Sequence, residues 1–171
     1  MPSFFEENLN PKDYPNYPAF VEATALGKCL EVFGRLKTDD KQVDMIIAGD
    51  TIVTLNGKVY GKPKKSEVAF EMLNELIGKT HVVYTGVVIK YKDELVQFTE
   101  AANVSFGKAN AEQIQSYVDT GEPLDKAGGY GIQGRGGCLI EKIDGDYFTV
   151  VGLPLYRLSV EICKLLNYEI K

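Results

Sequence analysis

The residues best equipped for chemistry lie in one short stretch, Asp125-Lys126-Ala127-Gly128-Gly129-Tyr130-Gly131-Ile132-Gln133. It sets a carboxylate, an ammonium, a phenol and an amide in a region, residues 121–137, that holds seven of the chain's 17 glycines. Glycine admits positive φ and lets backbone approach a ligand closely, at an entropic cost to folding. A polar segment bearing that cost reads as a binding loop for a small polar molecule rather than as a connector. Gly49-Asp50-Thr51 is the second place of interest, a carboxylate just past the apolar run at residues 43–48. Two readings of Asp50 stay open on spacing. It is either a ligand-facing acid at the carboxyl end of a strand or a turn residue satisfying backbone donors. Lys28, Lys62, Lys64, Lys65 and Lys126 can counter phosphate charge, Lys62 best because Gly61 and Pro63 constrain the backbone around it. Glu6-Glu7 is either a solvated acidic pair or the source of one metal ligand.

The elements that must position these groups follow from periodicity. Residues 8–18, rich in Asn, Pro and Tyr, read as an irregular lead-in, and residues 19–35 carry apolar side chains at helical spacing. Residues 43–48 read as a buried strand ending at Gly49-Asp50. Residues 51–55 and 58–60 flank Asn56-Gly57, a hairpin signal. Residues 66–77 form a second helix with Ser66 as its N-cap. Residues 80–90 and 95–106 are β-type runs around a polar turn, and 111–120 is a third helix stopped by Gly121 and Pro123. Residues 138–143 and 147–151 read as a hairpin across Asp144-Gly145, and 155–166 as a closing helix. The expectation is an α/β fold, a single domain with a mixed central β-sheet flanked by helices.

Length and composition bound the function. The 171 residues suffice for a real core, and 44% hydrophobic with 25% charged residues is ordinary for a soluble globular protein. A net charge of -5 argues against a binder of nucleic acid polymers, which needs a basic face. The apolar runs are strand-sized, so no membrane partner is expected, and the opening residues lack the pattern of a secretory signal. Cys29, Cys138 and Cys163 are widely spaced without a CxxC, which suits buried, reduced thiols. Gly129-Tyr130-Gly131-Ile132-Gln133-Gly134 matches GxGxxG formally. A dinucleotide fingerprint, however, comes after a strand and opens a helix, whereas this one leads into a β-type run. The lone His81 starts a strand and reads as structural.

Taken in order, Ala48-Gly49-Asp50-Thr51-Ile52-Val53, Gly61-Lys62-Pro63, Thr85-Gly86-Val87, the run from Gly121-Glu122-Pro123-Leu124 through Gln133-Gly134, and Val150-Val151-Gly152-Leu153-Pro154-Leu155 resemble the Maf-like nucleotide pyrophosphatases. The resemblance covers nearly the whole chain. It implies a Maf/ITPase-like fold and a cytoplasmic enzyme, related to septum formation inhibitors. Such an enzyme cleaves a nucleoside triphosphate to the monophosphate and pyrophosphate with a divalent metal, Mg²⁺ or Mn²⁺. It also suggests a homodimer. Asp50-Thr51 together with Gly131-Ile132-Gln133 is similar to the dTTP/UTP-directed subfamily. Carried over by resemblance, Asp50 is the proton acceptor, and Glu7 and Asp50 lie near the metal and phosphates. Lys28 and Lys62 face the triphosphate, Thr51 and Gln133 take part in base selection, and Asp125 and Lys126 belong to the shared substrate loop.

Gly61 departs from the acidic residue usual before Lys-Pro. The family also opens with a strand and a Ser-x-x-Arg-Arg-like segment, whereas Pro2-Ser3-Phe4-Phe5-Glu6-Glu7 resembles the segment after the family's second strand. The expectation is one Maf-like domain over residues 1–171, N-terminally incomplete, with little turnover. The alternative to a dTTP/UTP pyrophosphatase is a catalytically impaired nucleotide- or partner-binding relative. An unrelated sugar- or cofactor-binding α/β domain is a third reading.

Overall fold

The computed structural model describes residues 9–39 and 42–168. Among them run α1 (Tyr17–Thr38), β1 (Met45–Leu55), β2 (Lys58–Tyr60), α2 (Ser66–Leu76), β3 (Thr80–Tyr91), β4 (Glu94–Phe106), α3 (Ala111–Val118), β5 (Ile140–Asp144), α4 (Tyr147–Val151) and α5 (Leu155–Leu165). Local chemistry sets several boundaries. The Asn16 side chain accepts from the Ala19 amide to open α1. Asn110 and Gln113 form a reciprocal capping box on α3. Asn56 and Gly57, with φ of 51° and 79°, make the tight turn that sets Leu55 opposite Lys58.

The strands form one sheet in the order β2-β1-β3-β4-β5. The expectation of a central sheet flanked by helices is met, and the sheet is antiparallel where a mixed one was expected. Two-residue turns join β1 to β2 and β3 to β4, and such links only reverse a chain.

Three local expectations change. Gly49-Asp50 does not end a strand; β1 runs through it, because Gly49 needs no positive φ and neighbouring β3 continues the sheet. Ser66 is the first residue of α2 rather than its cap, and Lys65 occupies the cap position with no side-chain hydrogen bond. Residues 147–151 are a short helix, not a strand. Asp146 Oδ2 accepts from both the Thr149 amide (2.8 Å) and the Thr149 hydroxyl (3.0 Å), an N-cap arrangement that outweighs the β-type composition.

Contacts group the chain into two compact units. The first comprises the described residues up to Asp50, Thr85–Glu100 and the described residues from Gly152 onward; the second comprises Thr51–Tyr84 and Ala101–Val151. In the first unit, β3 is buried on both faces. Val88 packs with Ala25 and Cys29 of α1, whereas Val87 and Ile89 pack with Leu158 and Leu165 of α5. Alternate side chains point to opposite faces, so this unbroken apolar run is the mark of a strand covered twice. In the second unit, Leu73 and Leu76 of α2 and Ile114 and Val118 of α3 cover Val53, Val83, Val104 and Phe106 of the sheet. Cys29 is buried as expected, but Cys138 is exposed and Cys163 half-buried; all three are free thiols. No helix among the described residues is long and apolar enough to cross a membrane.

The Thr85-Gly86-Val87 motif has a packing reason. A Cβ on Gly86 would lie 2.6 Å from the Val21 carbonyl carbon and 2.8 Å from the Glu22 nitrogen, so α1 meets β3 backbone to backbone at that point. Gly86→Ala is expected to destabilise the fold by about 1–3 kcal/mol, because backbone cannot yield as a side chain can. Gly34→Ala, on the exposed side of α1 with nothing within 4 Å of its Cβ position, is expected to stabilise by about 0.5–1 kcal/mol. Urea denaturation midpoints moving in opposite directions would bear this out; two equal shifts would not.

Candidate active site

In the first unit the seating of α1 on β3 brings a lysine of the helix to the aspartate of β1. Lys28 Nζ lies 2.7 Å from Asp50 Oδ1 and donates a second, longer bond of 3.3 Å to the Gly49 carbonyl. Both side chains are largely withdrawn from water, 20% and 12% exposed. At that burial neither group is an ordinary solvated surface charge, and each limits the other's freedom. Of the two sequence readings of Asp50, the turn residue is excluded, since Asp50 is extended within β1; for the ligand-facing acid, the place at a strand end is corrected. Asp50 is instead a mid-strand carboxylate met by a lysine 22 residues earlier. Thr51 follows it in β1 and is half-buried. Glu7 lies outside the described residues.

The second unit holds the other expected residues. Lys62 is exposed and sits between β2 and α2, on a segment stapled to the glycine loop by two backbone hydrogen bonds. Gly128 N donates to the Gly61 carbonyl at 3.1 Å, and Lys64 N donates to the Leu124 carbonyl at 3.3 Å. Those bonds place Lys62 beside Asp125 and Lys126. Asp125 pairs with Lys126 at 2.5 Å, and that contact, with a smaller contribution from Lys62, holds its carboxyl below the usual range. Asp125 is mostly exposed, so the pair orients the two side chains more than it stabilises the fold. Lys126 lays its stem over Gly131, where a Cβ would come within 3.3 Å of the lysine Cε. Gln133 is exposed. Within the first unit Lys28 thus meets Asp50, and within the second Lys62 acts on Asp125, which pairs with Lys126.

The loop owes its shape to a residue that sequence reasoning did not single out. Glu122 accepts from the Tyr117 hydroxyl (2.9 Å) and the Gly136 amide (3.0 Å) at Oε1, and from the Arg135 amide (2.9 Å) at Oε2. Burial by itself raises this carboxyl, but the two amides, the phenol and nearby Lys126 outweigh it and hold Glu122 below its ordinary value. The Tyr117 hydroxyl also accepts from the Gly131 amide at 3.2 Å. The available signal was the placing of Glu122 between Gly121, at φ 74°, and buried Pro123, a rigid start for a carboxylate aimed inward. Beside α3 in the same unit lies a pocket of about 450 Å³, lined in part by Lys108, Gln113, Tyr117 and Arg135. None of the expected site residues lines it.

Among the described residues no group of three or more His, Cys, Asp or Glu side chains converges as a metal site. Asp50 is the one described carboxylate that the sequence nominated as a ligand. A hard divalent cation takes oxygen donors and often only one or two carboxylates, completing its shell with phosphate and water. The chemistry of the Asp50 side chain fits such a role.

Comparison with known proteins gives a family and named relatives. The family model described as Maf-like protein matches residues 1–165. A dTTP/UTP pyrophosphatase of Thermosipho africanus (strain TCF52B) is 44% identical over 158 residues, 92% of this chain and 77% of that protein. A protein of the same name from Clostridium botulinum (strain Alaska E43 / Type E3) is 48% identical over 142 residues, 82% of this chain and 73% of its own. Another, from Thermosipho melanesiensis (strain DSM 12029 / CIP 104789 / BI429), is 47% identical over 145 residues, 84% and 80% respectively.

Tyr130 anchors the glycine loop to the core of the second unit, and its partner there is pH-sensitive. The Tyr130 hydroxyl and His81 Nε2 are 2.8 Å apart, and the two rings make a T-shaped triad with Phe106. His81 is 1% exposed, its Nδ1 has no hydrogen-bond partner, and burial pushes its pKa down to about 4. Below pH 6.5 the unfolded chain takes up a proton that the folded chain refuses. Stability is therefore complete above pH 6.5 and falls as pH drops towards 4, by roughly 3 kcal/mol at most. His81→Gln keeps a polar partner for Tyr130 without titrating, so its stability should vary less between pH 6.5 and 5, above the range of most carboxylates. Parallel stability–pH curves from chemical denaturation would assign the loss to other groups.

Proposed function

The chain belongs to the Maf-like protein family, and from that premise we propose that it is a pyrophosphatase that hydrolyses dTTP and UTP to the monophosphate and pyrophosphate. The observation that carries the reading is the Lys28–Asp50 pair, a carboxylate and an ammonium held 2.7 Å apart at positions nominated for proton acceptance and phosphate binding. Relatives at 44–48% identity that bear the dTTP/UTP pyrophosphatase name support the substrate class.

The residues divide the work by their chemistry. A triphosphate brings roughly four negative charges that must be countered before a nucleophile can approach. Lys28 supplies one counter-charge from α1, and Lys62 and Lys126 supply others as compact ammonium groups. Asp50 orients a water and accepts its proton as the anhydride between the α- and β-phosphates is cleaved. The Gln133 amide both donates and accepts, which matches the imide edge of uracil or thymine, with Thr51 beside Asp50 as the second selecting residue. With the amide held in that orientation, a cytosine edge would set donor against donor and acceptor against acceptor, and unpaired polar groups are how nucleotide sites reject close analogues. Mg²⁺ or Mn²⁺ is the proposed cofactor, held by Asp50, with Glu7 as the other nominated acid. When bound, the cation supplies further neutralisation of phosphate charge.

Asp50→Asn preserves shape and removes the proton acceptor, so pyrophosphate release from dTTP and UTP should fall by about 10²–10⁴-fold. Full turnover by a folded Asp50→Asn protein would overturn the proposed base. Lys28→Met should instead act mainly on KM, read from the same assay as weaker saturation by nucleotide.

A further inference from the structure

The segment that carries Gln133 is bound to the Glu122 carboxylate on both sides of Gln133, directly and through Tyr117. Before Gln133, the Gly131 amide is bound to the Tyr117 hydroxyl, which itself donates to Glu122. After it, the Arg135 and Gly136 amides donate to the two oxygens of Glu122. Two glycines make this possible. A Cβ on Gly134 would lie 2.5–2.6 Å from both carboxylate oxygens and the carboxyl carbon of Glu122, and one on Gly136 would lie 2.5 Å from the Tyr117 hydroxyl. The carboxylate therefore lies against the bare Cα of the residue next after Gln133.

Resting on the pyrimidine-nucleotide reading above, we propose that Glu122 is a positioning residue for base selection, clasping Gly131 and residues 134–136 through Tyr117 and its own oxygens so that Gln133 meets the base in one orientation. A glycine-rich segment left to itself samples many backbone states. Three donors converging on one charged acceptor restrict it, and bonds to a carboxylate are stronger than neutral ones. Selection by an amide depends on where its two ends point, so discrimination between bases is the property most sensitive to the clasp. The mere presence of Glu122 as a folding group would not make it so.

The test is kinetic, with dTTP, UTP and CTP as probes. Glu122→Gln keeps size but sets an amide N–H against backbone N–H donors. Gly134→Ala attacks the same contact from the other side. Both variants should lose preference for dTTP and UTP over CTP by roughly tenfold or more, with the loss in KM exceeding that in kcat. A folded Glu122→Gln protein with unchanged preference overturns the proposal. Should neither variant fold, Tyr117→Phe removes only the Gly131 anchor and one bond to Glu122; it should lose part of the preference, and an unchanged preference again overturns the idea. Should the parent protein hydrolyse neither dTTP nor UTP, the functional reading fails on its own account. Amide hydrogen exchange then decides the clasp: faster exchange at Gly131, Arg135 and Gly136 in Glu122→Gln supports it, and unchanged exchange removes it.

Discussion

The first unit depends on one close approach, that of α1 to β3 at Gly86. The backbones approach closely there because position 86 carries no side chain: a Cβ would fall 2.6–2.8 Å from the Val21 carbonyl carbon, the Glu22 nitrogen and the Val21 Cγ2. That seat sets the height of the helix over the strand, and the packing is a consequence of it. Ala25 and Cys29 reach Val88, small side chains against a β-branched one. One residue short of Cys29, Lys28 projects to Asp50 and the Gly49 carbonyl. A helix held further away by even a methyl group would lengthen a 2.7 Å contact whose value rests on distance in a drier setting than bulk water. The glycine motif and the ionic pair are products of the same geometry.

The second unit solves a different problem, that of ordering a loop built from residues that resist order. Every buried amide in such a loop needs an acceptor, and this loop draws several of them from outside its own carbonyls. Backbone bonds to Gly61 and from Lys64 fix one end. The carboxylate of Glu122 and the phenol of Tyr117 fix the other, and Tyr130 inserts its ring beside His81 and Phe106. Of the polar groups nominated for substrate, Asp125 and Gln133 are exposed on this frame and Lys126 is half-buried, while the groups that hold the frame are buried or half-buried. Function and support are carried by different residues of the same short run.

Much of this was legible in the sequence because it depends on local rules. Helical spacing located α1, α3 and α5, Asn56-Gly57 announced its turn through the positive φ both residues adopt, and the motifs carried the family. Where the reading failed, a specific partner, distant or near, had overridden the composition. Gly49-Asp50-Thr51 has turn composition, yet the neighbouring strand and Lys28 keep it extended. Residues 147–151 have β composition, yet the Asp146 cap makes them helical. Cys138 looked like a small buried apolar group and is exposed, since nothing in its neighbours' types says which side of a glycine-rich turn meets water.

By itself, the sequence determined which residues could bear charge, which backbone positions had to be glycine, and hence the family and the class of reaction. Tertiary structure alone decided that Asp50 sits mid-strand beside Lys28, and that Glu122 holds the loop that presents Gln133. Side-chain type and spacing are local properties of the chain. The partner of a buried carboxylate is a long-range one, settled only when helix and strand, or loop and helix, are packed against each other.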